Sequence, residues 1–185
     1  RQMCIRDRSE ISTQADRLSK IIQRVRTYAK RQHHEVKQEN LSEIVDRALV
    51  SFRRSSLSSG IDVEVKAPGK ADALADALEL ELLIVNLLKN AAAASKDSRE
   101  KLISVQLSEE ANEWLLSVSD HGQVISDKLL SRLSHPAKSL SDGLGLGLSI
   151  CRLIAENHGG KLTFKPNNSK GLIVTLHLPK ANKEI

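Results

Sequence analysis

Between Gly143 and Leu148 glycine alternates with leucine, and a helical pattern opens directly behind the run, continuing to Asn157 before Gly159-Gly160 stops it. Few folds can use such a run. Glycines at every second position leave backbone N–H groups uncovered, and a helix that begins among them points its positive end at whatever fills the loop, which suits phosphate. The run is not the lysine-containing phosphate loop, because no Lys-Ser/Thr follows, and not a dinucleotide fingerprint, because no strand leads directly into it. Taken alone, it is also compatible with a flexible glycine hinge.

The elements around the run predict the fold class. A helix from Leu41 to about Leu57, capped by Asn40 and Ser42, carries Ile44, Val45, Ala48, Leu49 and Phe52 at helical spacing. Residues 61–65 alternate as a strand bounded by Pro68-Gly69, and residues 77–96 lack Gly and Pro and read as a strong helix. Residues 103–107 and 114–118 form a hairpin turned at 109–112. Residues 121–142 read as a long loop, and 162–164 and 172–178 as two last strands joined by an Asn/Ser/Gly turn. Helices mixed with antiparallel strands argue for an α+β domain, a two-layer α/β sandwich of one sheet covered by helices, over residues 39–180, with 181–185 a tail.

Ahead of that domain, residues 9–38 contain no Pro or Gly, and Ile11, Ala15, Leu18, Ile22, Val25 and Ala29 are spaced 4, 3, 4, 3, 4, a heptad seam. Such a helix wants partner helices and predicts an antiparallel hairpin or four-helix bundle. Residues 1–8 look like the in-frame translation of an adapter used in preparing sequencing libraries, so the chain is expected to be the C-terminal part of a longer protein.

The net charge of +5 raises nucleic-acid binding as an option, but its distribution argues against it. Residues 1–37 hold 10 Lys/Arg against 4 Asp/Glu, while the rest hold 18 against 19, so the body is nearly neutral. Aromatic residues are 2% of the chain, too few for base-stacking platforms. Two cysteines, Cys4 and Cys151, make neither a disulfide framework nor a zinc cage, which fits a reducing cytoplasm. The most apolar stretch, residues 82–88, falls far short of the roughly 20 apolar residues of a membrane span.

Two further motifs carry chemistry. Asn86 and Asn90 lie four apart on one face of an apolar helix, with Glu81 about a turn back, and buried amides need partners such as backbone, water or a bound ion with its phosphates. Asp120-His121-Gly122 puts a carboxylate at a strand end before a glycine, where it can accept a hydrogen bond from an exocyclic amine such as that of adenine. Each motif alone has an ordinary structural reading, as satisfied amides or a turn.

In this order and spacing the three motifs resemble the N box and the two glycine boxes of the gyrase, heat-shock chaperone, histidine kinase and mismatch-repair ATPase superfamily. Gly143-Leu-Gly-Leu-Gly-Leu148, followed by Ser-Ile-Cys-Arg-Leu-Ile-Ala-Glu-Asn-His-Gly-Gly, looks like sensor histidine kinases, and the segment ending in Arg26-Thr-Tyr-Ala-Lys-Arg31 is similar to the second helix of their dimerisation hairpin. The resemblance covers roughly residues 9–179. It implies a Bergerat-type ATP-binding fold behind a long dimerisation-hairpin helix. Asn90 is then the Mg²⁺ ligand, with Asn86 assisting at the ATP phosphates. Asp120 recognises the adenine amino group and Gly122 lets the base approach. Gly143, Gly145, Gly147 and Leu148 lie under the triphosphate, residues 121–142 form an ATP lid, and Lys138 is a candidate γ-phosphate contact.

The implied partners are a response regulator and a second copy through the N-terminal helix bundle, not nucleic acid. The catalytic portion is expected in the cytoplasm, with any membrane attachment supplied by a missing upstream sensor region. Hydrolysing superfamily members carry a general-base Glu where this chain has Asn86, and an amide cannot take a proton, which favours phosphoryl transfer over water attack. The chain departs from the family at Val124, where a second glycine is usual, and at Ala93, where a lysine is frequent. Leu130 and Leu133 replace lid phenylalanines. Altered nucleotide binding, a scaffold module without transfer, and an anti-sigma-factor-like serine kinase are the alternative readings. His33-His34-Glu35 reads as a solvated linker rather than a phospho-acceptor, and His121, His135, His158 and His177 as surface or turn residues.

Overall fold

The computed structural model describes residues 35–134, 146–168 and 170–180. The heptad segment, His33 and His34 lie outside the described residues. From Val36 onward the chain forms one compact unit, built as β1 (Lys37–Asn40), α1 (Leu41–Arg53), β2 (Asp62–Lys66), β3 (Asp72–Ala75), α2 (Ala77–Ser95), β4 (Leu102–Glu110), β5 (Glu113–Asp120), α3 (Asp127–Ser134), α4 (Leu146–Asn157), β6 (Lys161–Pro166) and β7 (Leu172–Pro179).

Strand alternation decides which face of the sheet is covered. Along β5, Trp114, Leu116, Val118 and Asp120 are buried while the residues between them are half-buried. The ladder continues that row across the sheet: Val105 of β4 sits opposite Val118, Val118 opposite Val174 of β7, and Val174 opposite Phe164 of β6. The sheet order is β2-β4-β5-β7-β6, antiparallel except for the β2–β4 pair. Helix α2 packs on β4 and β5, α4 on β6 and β7, and α1 on α2, giving the expected two-layer sandwich.

Helix α1 buries Leu41, Ile44, Val45, Ala48, Leu49 and Phe52, the stripe that its spacing predicts. Each large apolar side chain so buried contributes about 1.5–3 kcal/mol. Asn40 caps the helix: its Oδ1 accepts from the amides of Ser42 at 3.1 Å and Ala71 at 3.2 Å. The helix ends at Arg53, short of Leu57, because Ser56–Ser58 turns as a 3₁₀ segment.

Three elements depart from the sequence reading. Residues 37–40, assigned there to a helix end and its exit, form β1, which pairs antiparallel with β3, a strand absent from that reading. The indole N–H of Trp114 donates to the Asp72 carbonyl at 2.9 Å and ties this small ribbon to the main sheet. Residues 127–134, read as loop, form α3, entered through Ser126, whose hydroxyl accepts from the Leu129 amide at 3.3 Å, and anchored by buried Leu133.

His158 is not a surface residue. Its side chain is 1% exposed; Nε2 accepts the Asp76 amide at 3.0 Å, so Nδ1 carries the proton and donates to the Ile154 carbonyl at 2.7 Å. Asp76 itself caps α2, accepting from Leu78 and Glu79. The ring thus pins the end of α4 to the start of α2. His158→Ala orphans a buried amide and leaves a cavity, and is expected to lower unfolding free energy by about 2–4 kcal/mol in urea titration. A loss under about 0.5 kcal/mol, the level of an ordinary surface change, would contradict that role.

Candidate functional site

Asp120 occupies a core-facing position of β5, opposite Ile103, yet carries a carboxylate, and it is only 6% exposed. The Gly122 amide donates to its Oδ1 at 2.8 Å, and the Leu172 amide donates to the same carboxylate. Burial pushes the carboxyl above the ordinary range; the two amides and nearby His121 act in the opposite direction and do not prevail. A buried carboxylate perturbed in this way beside a cavity is a functional-site candidate.

Such a cavity is present. About 810 Å³ opens beside Asp120, Gly122, Ala94, Leu129 and Lys170, a size suited to one small organic ligand. A Cβ on Gly122 would lie 2.8 Å from both the Ala94 carbonyl oxygen and Asp120 Oδ1, so this part of the wall must remain bare backbone. The Ser98 hydroxyl donates to the His121 carbonyl at 2.7 Å, and His121 Nδ1 lies 3.1 Å from the Leu102 carbonyl. These bonds lash the exit of α2 to the strand end that presents Asp120.

Of the residues singled out in the sequence, the structure brings Asp120 and Gly122 together at this cavity. Asn86 is buried at 7% exposure in α2, and its Nδ2 donates back to the Leu82 carbonyl at 2.9 Å. Asn90, a turn later, is exposed. Neither lines the cavity, and Glu81 is turned aside, accepting from Ser51 on α1 at 2.7 Å. Gly147 is buried and Leu148 half-buried in the first turn of α4, which packs on α2. Lys138, Gly143 and Gly145 lie outside the described residues. Ala93 lines the cavity, and Val124 stands 73% exposed at its rim. No described non-glycine residue has a left-handed φ, so the backbone at Val124 does not demand the glycine usual there.

Several cavity residues carry no sequence signal. Ser98 follows α2 and Lys170 sits in the β6–β7 turn, and only tertiary folding brings them to Asp120. A second hollow of about 730 Å³, lined by Arg53, Asp62, Glu64 and Lys101 among others, holds none of the sequence motifs.

Residues 75–182 match the family model described as histidine kinase-, DNA gyrase B-, and HSP90-like ATPase. The chain is 31% identical over 176 residues to the sensor protein FixL of Bradyrhizobium diazoefficiens, covering 92% of this chain and 34% of that protein. It is 30% identical to the C4-dicarboxylate transport sensor protein DctB of Rhizobium meliloti, covering 92% of this chain and 28% of that one. The chain thus spans about a third or less of the length of these relatives. Among solved structures it superposes on the catalytic domain of histidine kinase ThkA with a TM-score of 0.67 at 25% identity, covering 79% of this chain and 97% of that one. The mycobacterial sensor histidine kinase MprB gives 0.64 at 25%, covering 78% and 97%. With the family model spanning more than half the sequence and sensor kinases as its relatives, the chain belongs to the histidine kinase-, DNA gyrase B- and HSP90-like ATPase family, on its histidine kinase branch.

Proposed function

We propose that this chain is the catalytic portion of a two-component sensor kinase, binding Mg-ATP and delivering its γ-phosphoryl to a histidine on a dimerisation helix outside this sequence. The observation that carries the reading is Asp120: a buried carboxylate at the end of β5, beside a cavity of about 810 Å³ whose wall at Gly122 is bare backbone. A carboxylate so placed accepts from the adenine amino group, and the flush glycine lets the ring lie close.

From Asp120, the phosphates would run toward the first turn of α4, where the helix N-terminus favours anionic charge; Gly147 and Leu148 in that turn, with Gly143 and Gly145 ahead of it in the sequence, would supply amides. Lys138 would contact the γ-phosphate. Asn90, exposed on α2, is free to meet an ion held mainly by phosphates, and among the described residues no cluster of three or more His, Cys, Asp or Glu could hold a metal by itself. Bound there, Mg²⁺ would neutralise phosphate charge. Asn86, whose Nδ2 donates to the Leu82 carbonyl, is an amide and cannot act as a base, which favours transfer to a positioned nucleophile over hydrolysis. The segment ahead of β1 would carry the second helix of the dimerisation hairpin, residues 37–180, from β1 onward, would be the ATP-binding domain, and a response regulator would receive the phosphoryl group. No described helix is long and apolar enough to cross a membrane.

Ala93 on the cavity wall favours a second reading, a nucleotide-binding scaffold without transfer. Calorimetric titration with a non-hydrolysable ATP analogue separates these in two steps. Binding is expected to strengthen with Mg²⁺, and Asn90→Ala should remove that gain, about tenfold. A folded chain that binds no nucleotide would sink the reading; binding without transfer to a supplied dimerisation hairpin would favour the scaffold.

A further inference from the structure

The β5–β7 ladder ends at Ser119 opposite Ile173, one residue before the carboxylate that matters. Beyond that point Asp120 is held by the chain around the β6–β7 turn. Asn167 Nδ2 donates to the Asp120 carbonyl at 2.9 Å across 47 residues of sequence. The Gly171 amide donates to the Gln123 carbonyl at 3.2 Å, and the Asn167 amide closes the turn onto the Gly171 carbonyl at 3.1 Å. Gly171 has φ +96, and a Cβ there would fall 2.1 Å from the Asp120 carbonyl oxygen and 2.6 Å from Oδ1. Lys170, between them, lines the same cavity.

We propose that Asn167 and Gly171 are positioning residues for base recognition: Asn167 fixes the peptide plane after Asp120 and Gly171 permits the close approach, so that the carboxylate faces the cavity in one orientation. The inference rests on the proposed reading of Asp120 as the adenine acceptor. Neither residue need touch the nucleotide. Gly122 donates to the carboxylate from two residues further along, so fixing the 120–121 peptide also fixes the position of the donor that orients the carboxylate.

A change in acceptor orientation weakens only ligands that use it. Inosine triphosphate lacks the exocyclic amine but keeps the triphosphate, so the ratio of ATP to ITP affinity reads the orientation of Asp120 directly. In the full chain, Asn167→Ala is expected to lower ATP affinity about fivefold, the size of one lost hydrogen bond, with ITP affinity unchanged. Asn167→Leu, close in size, uncharged and unable to donate, gives the same readout should the alanine variant fail to fold. Equal losses for both nucleotides, or an unchanged ratio, would overturn the inference while leaving the adenine acceptor in place. A wild-type chain that does not distinguish ATP from ITP would overturn both.

Discussion

Asp120→Asn is expected to weaken ATP binding by between about 10-fold and 100-fold, because a hydrogen bond to a charged group contributes about 1.5–3 kcal/mol and the amide cannot replace the anion. The same variant should fold, since asparagine keeps the volume of the side chain and its Oδ1 can still accept the Gly122 amide. The pH dependence gives a second handle. Burial raises the Asp120 carboxyl above the ordinary carboxylate value of about 3.9, so wild-type affinity should fall as pH drops through that raised value. Stability runs the other way. A carboxyl whose folded-state value is raised imposes a penalty above that value, and acidification through it relieves the penalty, so loss of binding on acidification is not a consequence of Asp120 unfolding the domain. Calorimetric titration at successively lower pH should show the decline in wild type and a flat, weak profile in Asp120→Asn. Comparable affinity in the two proteins at pH 7 would remove Asp120 from base recognition.

Asp120 also marks how far sequence reasoning reaches. Its position at a strand end, before a glycine, was legible because period-2 alternation runs through Trp114, Leu116 and Val118 and the flanking turn residues are distinctive. That it faces the core is a consequence of the same alternation. Its second support, the Asn167 side chain, was not legible, because nothing local in the β6–β7 turn distinguishes an asparagine that reaches a distant carbonyl from one that serves its own turn.

The ribbon of β1 and β3 escaped for a related reason. Lys37-Gln38-Glu39-Asn40 and Asp72-Ala73-Leu74-Ala75 contain no β-branched or aromatic residue, and their pairing is imposed by each other and by Trp114 rather than by propensity. Helix α3 carried a signal in the spacing of Leu129, Leu130 and Leu133 behind Ser126, but eight residues are too few to stand out from a loop. Asn86 and Asn90 were placed on one helical face, four residues apart, yet one is buried and the other exposed. Periodicity assigns direction around a helix, not the depth of cover along it.

The two glycines after α4 look like one helix stop and are expected to behave differently. The Gly159 amide donates to the Glu156 carbonyl at 2.9 Å and the Gly160 amide to the Ala155 carbonyl at 2.8 Å, the paired bonds of a Schellman cap. Gly159 has φ +66 with only Pro179 Cγ, at 3.7 Å, near an added Cβ, so Gly159→Ala meets the left-handed penalty of about 1–2 kcal/mol and little else. Gly160 has room for nothing: a Cβ would stand 2.1 Å from the His177 carbonyl oxygen on β7, directly beside the Lys161–His177 pair that begins the β6–β7 ladder. Backbone cannot yield as a flexible side-chain tip does, so Gly160→Ala must push β6 off β7 and is expected to lose at least about 3 kcal/mol, the upper part of the range for overpacking. Against a total stability of about 5–15 kcal/mol, that loss shows as a large drop in the urea midpoint. Equal losses for the two variants would mean that the turn relaxes freely and that close approach to β7 is not what Gly160 provides.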